Sequence, residues 1–345
     1  MSPLLPGVFL IRSPVFELLA SMFRLQSHEH LSKTPAALTL ADFDVDLFVD
    51  RTRKSLPQPV LEGLKVFFNE ESYLGLSLVS FAWVQSAWQS VEIFMDRLSQ
   101  MSPRELFRSL LSTGYSPDGP LNIDDPESVR DYINRTNLPD LEKWKLSYLY
   151  LNAESAKQQF IDLVAQCHER YFAAEWERLQ KLQDESMARV AERVHSHRDL
   201  MNEFPILNGV PIDNGGVEVV LAPSVFYHLD SLSSFSDERL LFIALYGIHY
   251  LGRKSMRSDE MAGFLKVLSD ETRIKIIKTL AVTPCFGYEL AQRLGLSNST
   301  ISHHLAILAD MGLVVPDRQE NRVYYTLDRQ RLGALLASLD RQLLG

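Results

Sequence analysis

Cysteine is scarce in this sequence: Cys167 and Cys285 are the only two in 345 residues. Two distant thiols exclude a disulfide scaffold and fit a reducing, cytoplasmic compartment. No run of 18 apolar residues occurs, so no membrane span is expected. The apolar start "MSPLLPGVFLIRSPVF" is broken by Pro6, Arg12 and Pro14 and has no basic leader. It reads as a strand and turn, not as a signal peptide. A Gly-rich phosphate loop, a G-x-S-x-G elbow and an H-E-x-x-H pair are all missing, and "NGG" at 214–216 reads as a turn. No enzyme and no cofactor are therefore expected. Nor is there an excess of basic charge. The net charge is −9; residues 256–345 hold 11 Lys/Arg against 10 Asp/Glu, and the preceding 255 residues hold 24 against 34. Such a chain does not bind polyanions through its overall field, so any contact with DNA must come from a local patch.

The composition, 46% apolar and 23% charged, is that of a globular protein long enough for two or three domains. The reading is mainly α: residues 1–255 form a large helical domain with a small β-sheet, and 256–345 form a second domain after the boundary "RKSMRS". A short strand over 7–12 leads into a helix opened by Ser13 and Pro14. The nearly uniform apolar run within 73–101 predicts a buried helix. Ser102-Pro103-Arg104-Glu105 is a capping box for a helix reaching about Thr113, and Asp125-Pro126-Glu127 opens another. A third covers roughly 139–151. Asn152 is expected to cap the longest helical segment, about 153–200, with a bend plausible. Phe160, Val164, Cys167, Tyr171 and Ala174 form an apolar stripe narrow enough to pair with one helix, in the same chain or in a partner. "FPILNGVPIDNGGVEVVLAPSVFYHL" reads as a hairpin joined by the N-terminal strand. Ser236 is then expected to cap a last helix, "DERLLFIALYGIHYLG", ended by Gly252.

From Ser258 on, the pattern is tighter. "SDEMAGFLKVL" is a capped helix. "SDETRIKIIKTL" is a second, with Ser269 as its cap and Ile274, Ile277 and Leu280 facing inward. "YELAQRLG" is a short third ended by Gly295, and only three residues separate it from the helix in "LSNSTISHHLAILADMGLV". Two helices so joined make a helix-turn-helix. "LVVPDRQENRVYYTL" is a hairpin with a polar tip, and "DRQRLGALLASLDRQLL" a final amphipathic helix. This is the order of a winged helix. At about 100° per residue, Ile301, Leu305 and Leu308 share the core face of the second helix, and Ser299, His303 and Ala306 lie opposite with Thr300 and Ser302 on the flanks. Short side chains with donors and acceptors at the tip suit entry into a major groove about 12 Å wide. Arg318 and Arg322 bracket Gln319, Glu320 and Asn321 at the hairpin tip, where they can reach phosphate or an adjacent minor groove. Tyr324 and Tyr325 alternate faces, one toward the core.

The segments "FLKVLSDETRIKIIKTL", "YELAQRLGLSNSTISHHLAILADMGLV" and "DRQENRVYYTL" resemble the ArsR family of bacterial winged-helix repressors over about 80 residues. The resemblance implies a homodimer that binds a palindromic operator in double-stranded DNA and leaves it when an effector binds. It implies that Ser299, Thr300, Ser302 and His303 read bases or phosphates. Ser297 and Asn298 at the helix start, His304, and Arg318, Gln319, Asn321, Arg322 and Tyr324 of the wing complete the candidate DNA-binding set. It also implies a dimer interface built by the final helix, with Leu332, Leu335, Leu336 and Leu339, and the first helix of the domain.

Many relatives sense metals or metalloids, but the ligands are not in place here. Phe286 and Tyr288 stand where metalloid sensors carry Cys-x-Cys, with Cys285 one residue off. Asp328 is followed by Gln330 where zinc-type sensors have Asp-x-His, and Arg341 and Leu344 occupy the later ligand places. No metal site is expected. His195, His197 and His168 read as solvated residues on a charged helix, and Cys167 as a small core residue. Trp83, Trp88, Trp144 and Trp176 read as core, not as a ligand cage. His304 sits about 100° round from His303, toward the packed side, which suits a structural or phosphate-adjacent role.

Two functions follow. One is a dimeric transcriptional repressor whose N-terminal domain senses a small-molecule effector or extends the dimer. The other is an N-terminal protein-interaction module that the winged-helix tail localises to DNA.

Overall fold

The computed structural model describes residues 3–32, 43–111, 121–207, 210–212, 216–227, 231–236, 240–248, 258–319 and 322–328, with 332, 333, 335, 336 and 339 beyond these. These residues fall into two compact units divided between 248 and 258.

The first unit opens with β1 (Val8–Leu10) and, three residues later, α1 (Pro14–Ser32). Ser13 Oγ accepts from Phe16 N at 3.1 Å, the cap expected before a proline at the first helical position. Next come α2 (Val45–Ser55), α3 (Gln58–Phe67), α4 (Leu78–Val84), α5 (Val91–Gln100), α6 (Pro103–Leu111), α7 (Pro126–Arg135) and α8 (Asp140–Leu151). The capping box at Ser102 is reciprocal: Glu105 N donates to Ser102 Oγ at 3.2 Å, and Ser102 N to Glu105 Oε2 at 3.1 Å. Asp125 Oδ1 likewise accepts from Glu127 N.

The apolar run 73–101 is not one helix. A 3₁₀ turn over Leu74–Ser77 precedes α4, and the chain breaks after Val84, where Ser86 takes a positive φ of 52°. Ser90 then caps α5 afresh by accepting from Ile93 N. The uniform apolarity of its first half reflects burial of the 3₁₀ turn and much of α4, not helical continuity.

The long helix consists of α9 (Ala153–Cys167), a π-helical turn over His168–Phe172, and α10 (Ala173–Arg193). It ends at Arg193, and α11 (His197–Glu203) is a separate helix. Asn152 does not cap it; its side chain donates to Tyr148 O and closes α8 instead. Phe160, Val164, Cys167 and Tyr171 are buried as the stripe requires, but Ala174 is exposed. The π turn adds one residue, which rotates the following face by about 100°. The buried positions become Phe172, Leu179, Gln183, Ser186 and Val190. The stripe is a core seam within this chain, packed against α3, α5 and α6.

The sheet corrects two further expectations. β2 (Glu218–Ser224), β3 (Ser231–Ser236) and β4 (Leu241–Gly247) join β1 in the order β1-β2-β4-β3. β1 and β4 both run parallel to β2, so 204–229 is not a hairpin; the antiparallel pair is β3 with β4. The run "LFIALYG", expected as helix, is β4, one of the two inner strands, and Ser236 lies in β3. Every residue of β4 is buried because both faces of the sheet are covered. Val220, Ala222, Ile243 and Leu245 face the main helical core. Val219, Leu221, Phe242, Ala244 and Tyr246 face a second core with Val190, Leu200 and Phe204. A strand covered on both sides loses its alternation, and period alone cannot separate it from a buried helix.

Polar groups tie the helices to the ends of the parallel strands. Gln183 donates to Pro223 O at 2.9 Å, and Arg189 to Ile248 O at 2.9 Å. Glu17, 1% exposed in the first turn of α1, accepts from Val225 N at 2.8 Å. Burial outweighs that bond and pushes the Glu17 carboxyl up to about 7.

The second unit is a winged helix-turn-helix. Its helices are α12 (Ser258–Leu268), α13 (Glu271–Val282), α14 (Gly287–Leu294) and α15 (Asn298–Asp310), and its sheet is β5 (Cys285–Phe286), β6 (Val314–Gln319) and β7 (Arg322–Leu327) in the order β5-β7-β6. Phe264, Ile276, Leu290, Ile301, Leu305, Leu308, Leu313 and Leu327 build its core. Asp270, not Ser269, caps α13: its Oδ1 accepts from Arg273 N at 2.9 Å, while Ser269 Oγ donates to Lys266 O. The inward positions differ as well. Ile276 is buried and Ile274 is 38% exposed, while Leu280 faces inward as expected and Ile277 is half-buried. The expected final helix lies largely outside the described residues, but Leu335 belongs to the core of this unit. Leu336 is exposed.

Candidate nucleic-acid interface

The candidate interface is built on α14, its turn and α15. Gly295 ends α14 in the left-handed region at φ +68°. A Cβ there would meet nothing within 4 Å, so the backbone, not space, calls for glycine. Leu296 N donates back to Ala291 O at 3.0 Å, and Gly295 N to Gln292 O, closing the helix end. Ser297 then caps α15: its Oγ accepts from Thr300 N at 3.1 Å. The same oxygen lies 2.7 Å from Thr300 Oγ1 and 2.9 Å from Ser299 Oγ. Three hydroxyls thus cluster at a helix N-terminus, where backbone N–H groups and the helix dipole favour an anion such as phosphate.

Ile301, Leu305 and Leu308 are all at most 1% exposed, which fixes the rotation of α15. Asn298, Ser299, Ser302, His303 and Ala306 are exposed, and Thr300 is half-buried. The outward face therefore offers an amide, hydroxyls, one imidazole and a methyl group. No lysine or arginine stands between Asn298 and Asp310.

The two adjacent histidines part company here. His303 faces outward. The His304 side chain is 12% exposed, and its Nδ1 lies 3.7 Å from Asp270 Oδ1. The N–H of Arg273 holds the Asp270 carboxyl below the usual carboxylate range, with smaller contributions from the charges of Arg273 and His304. Arg273 donates from Nε to Val267 O at 2.6 Å and from its guanidinium to Lys266 O at 2.9 Å, locking the end of α12 to the start of α13. His304 therefore packs behind the outward face of α15, beside the α13 cap. Sequence reasoning missed its partner; the signal was the aspartate standing three residues before Arg273, at a helix start.

In the wing, Gln319 pairs with Arg322 across β6 and β7. Asn321 lies outside the described residues, as do the side chains of Arg318, Gln319 and Arg322. Tyr324 is half-buried, with its ring edge-on to Phe286 at 5.8 Å. Tyr325 is the one packed on the core. β5, which the sequence reading did not include, pairs Phe286 opposite Tyr324 and Cys285 opposite Tyr325.

Elsewhere, Ser196 caps α11 by accepting from Asp199 N, and His197 Nε2 lies 3.3 Å from Pro6 O. Burial pushes the Cys167 thiol up to about 12. Among the described residues, no group of three His, Cys, Asp or Glu could hold a metal ion, and no helix is long and apolar enough to cross a membrane.

A family described as bacterial regulatory protein, arsR family, matches residues 270–315, from the cap of α13 into β6. The HTH-type transcriptional regulator CmtR of Mycobacterium tuberculosis is 36% identical over 84 residues, which span 24% of this chain and 71% of that protein. The HTH-type transcriptional regulator YgaV of Escherichia coli is 31% identical, over 26% of this chain and 91% of its own length. The arsenical resistance operon repressor of Staphylococcus aureus is 29% identical, over 25% and 82%. Among solved structures, a homodimeric winged helix-turn-helix DNA-binding domain from Mycobacterium bovis is 30% identical over 27% of this chain and 90% of that one, with a TM-score of 0.22. Through its winged helix-turn-helix unit, the chain belongs to the ArsR family of bacterial DNA-binding transcriptional regulators.

Proposed function

We propose that this protein is a homodimeric repressor of the bacterial cytoplasm that reads an operator with α15 and is released by a signal acting on its first unit. The observation that carries the reading is the rotation of α15. Burial of Ile301, Leu305 and Leu308 turns Asn298, Ser299, Ser302 and His303 outward at a capped helix start. Such a face suits a major groove, with the hydroxyls and imidazole against base edges and the helix start against a phosphate. Since that face has no fixed cation, most counterion-releasing contacts fall to the wing, through Arg318 and Arg322, and to the second subunit. A dimer also sets two reading heads about one helical turn apart, which calls for a palindromic site. The repressor role is supported by relatives that bear that name, such as the arsenical resistance operon repressor. A signal acts on DNA affinity only if it binds the competent and incompetent states differently.

The test is titration of the full chain with the DNA upstream of its own gene. Sequence-specific binding is expected, weakened by His303→Ala with the fold intact. Equal affinity for that DNA and for scrambled DNA would overturn the reading.

A further inference from the structure

Four large apolar side chains on α8 stand in solvent: Leu141 is 78% exposed, Trp144 76%, Tyr148 63% and Leu151 78%. Trp144 thereby departs from the core reading of the four tryptophans. The other three are half-buried against the main core. The spacings of three, four and three place these side chains on one stripe about 80° wide, the seam of a coiled coil. The opposite face of α8, with Leu146 and Leu149, is already in the core. So large an apolar stripe calls for a partner.

We infer that α8 pairs with α8 of a second copy of this chain, antiparallel about a two-fold axis at the level of Leu146. Three observations single out this occupant. First, the stripe is symmetric under reversal: about residue 146, Leu141 mirrors Leu151 and Trp144 mirrors Tyr148. An isologous interface needs that self-complementarity, and it sets each leucine against a leucine and aromatic against aromatic at the axis. Second, the area fits. Four such side chains expose on the order of 500 Å², more than half of the roughly 800 Å² each partner gives to a stable interface. Third, charge disfavours a membrane. The lysines of α8 are engaged within the chain: Lys143 donates to Asn134 O, and Lys145 pairs with Glu142 at 2.5 Å. The exposed charges at the two ends, Asp140 and Glu154, are acidic, the wrong sign for an anionic lipid surface.

The contact shares its dimer with the function proposed above but rests on α8 alone. Loss of DNA binding would leave it standing, and its absence would leave α15 able to read DNA.

Cysteine cross-linking of the full chain tests it. Leu141→Cys and Leu151→Cys lie at exposed positions, and the native thiols, Cys167 and Cys285, are buried. The double variant, once oxidised, is expected to run mainly as a covalent dimer on a non-reducing gel. Each single variant should stay monomeric on that gel, because the two-fold holds like positions roughly 15 Å apart along the helix. A double variant that does not cross-link, or single variants that cross-link equally well, would overturn the proposal. A second measurement needs no disulfide geometry. Trp144→Glu with Tyr148→Glu should weaken self-association in sedimentation equilibrium at least tenfold, and unchanged association would overturn it.

Discussion

His304 Nδ1 lies 3.7 Å from Asp270 Oδ1, the carboxylate that caps α13. One residue earlier, His303 faces outward beside Ser299 and Ser302. Neighbours in sequence thus divide into one side chain that faces solvent and one packed beside the α13 cap. His303→Ala is expected to weaken specific DNA binding by about 1–3 kcal/mol, at least roughly fivefold in Kd, with no change in melting temperature. His304→Ala is expected to lower the stability of the winged-helix unit by about 1 kcal/mol, through lost packing beside the α13 cap. DNA titrations and thermal melts on the same two variants separate the roles.

Gly295 and Ser297 hold the turn between α14 and α15. Gly295→Ala places a Cβ at φ +68° and should cost about 1 kcal/mol. Ser297→Ala removes the acceptor for Thr300 N and should cost about 1 kcal/mol as well. Both effects should appear in denaturant unfolding of the full chain as a shift confined to the second unit. The shift should be followed with Tyr324 or a probe on α15, because the first unit contains all four tryptophans.

Glu17 links stability to pH. Its carboxyl is raised from 4.5 to about 7 by burial, so the folded chain holds a proton that the unfolded chain releases between those values. The folded state binds more protons, so stability is full below about pH 4.5 and is lost as pH rises through about 7. The loss is on the order of 3 kcal/mol. Glu17→Gln keeps an acceptor for Val225 N and has no charge to bury. It should melt near the wild type at pH 5 and above it at pH 8; matching pH profiles for the two proteins would remove this role.

Arg322 opens β7 next to the wing turn. If it contacts phosphate, Arg322→Ala should weaken binding to specific and non-specific DNA alike. It should also lower the slope of log affinity against log salt by about 1 per subunit.

Several helix starts are legible because capping is local chemistry, although the expected caps Asn152, Ser236 and Ser269 are not used. Ser13, Ser102 with Glu105, Asp125 and Ser297 all accept the N–H that their position calls for. The rotation of α15 followed from three apolar residues at helical spacing. What escaped depends on distant parts of the chain. "LFIALYG" is a strand because helices cover both faces of the sheet, which no local period records. The π turn at His168–Phe172 shifts the buried stripe by one residue and exposes Ala174, and nothing in the spacing marks it. His304 was placed toward the packed side, but Asp270, 34 residues earlier, was not identified as its neighbour. Trp144 reads as core from the sequence, while the structure leaves it on an apolar stripe in solvent.

The most direct measurement is the affinity of the full-length chain for the DNA upstream of its own gene, against a scrambled duplex of equal length, across a salt series. The account predicts a specific complex of two chains per site, at least roughly a thousandfold tighter than the scrambled one, with affinity falling steeply as salt rises. Equal affinity for the two duplexes at every salt concentration would contradict it.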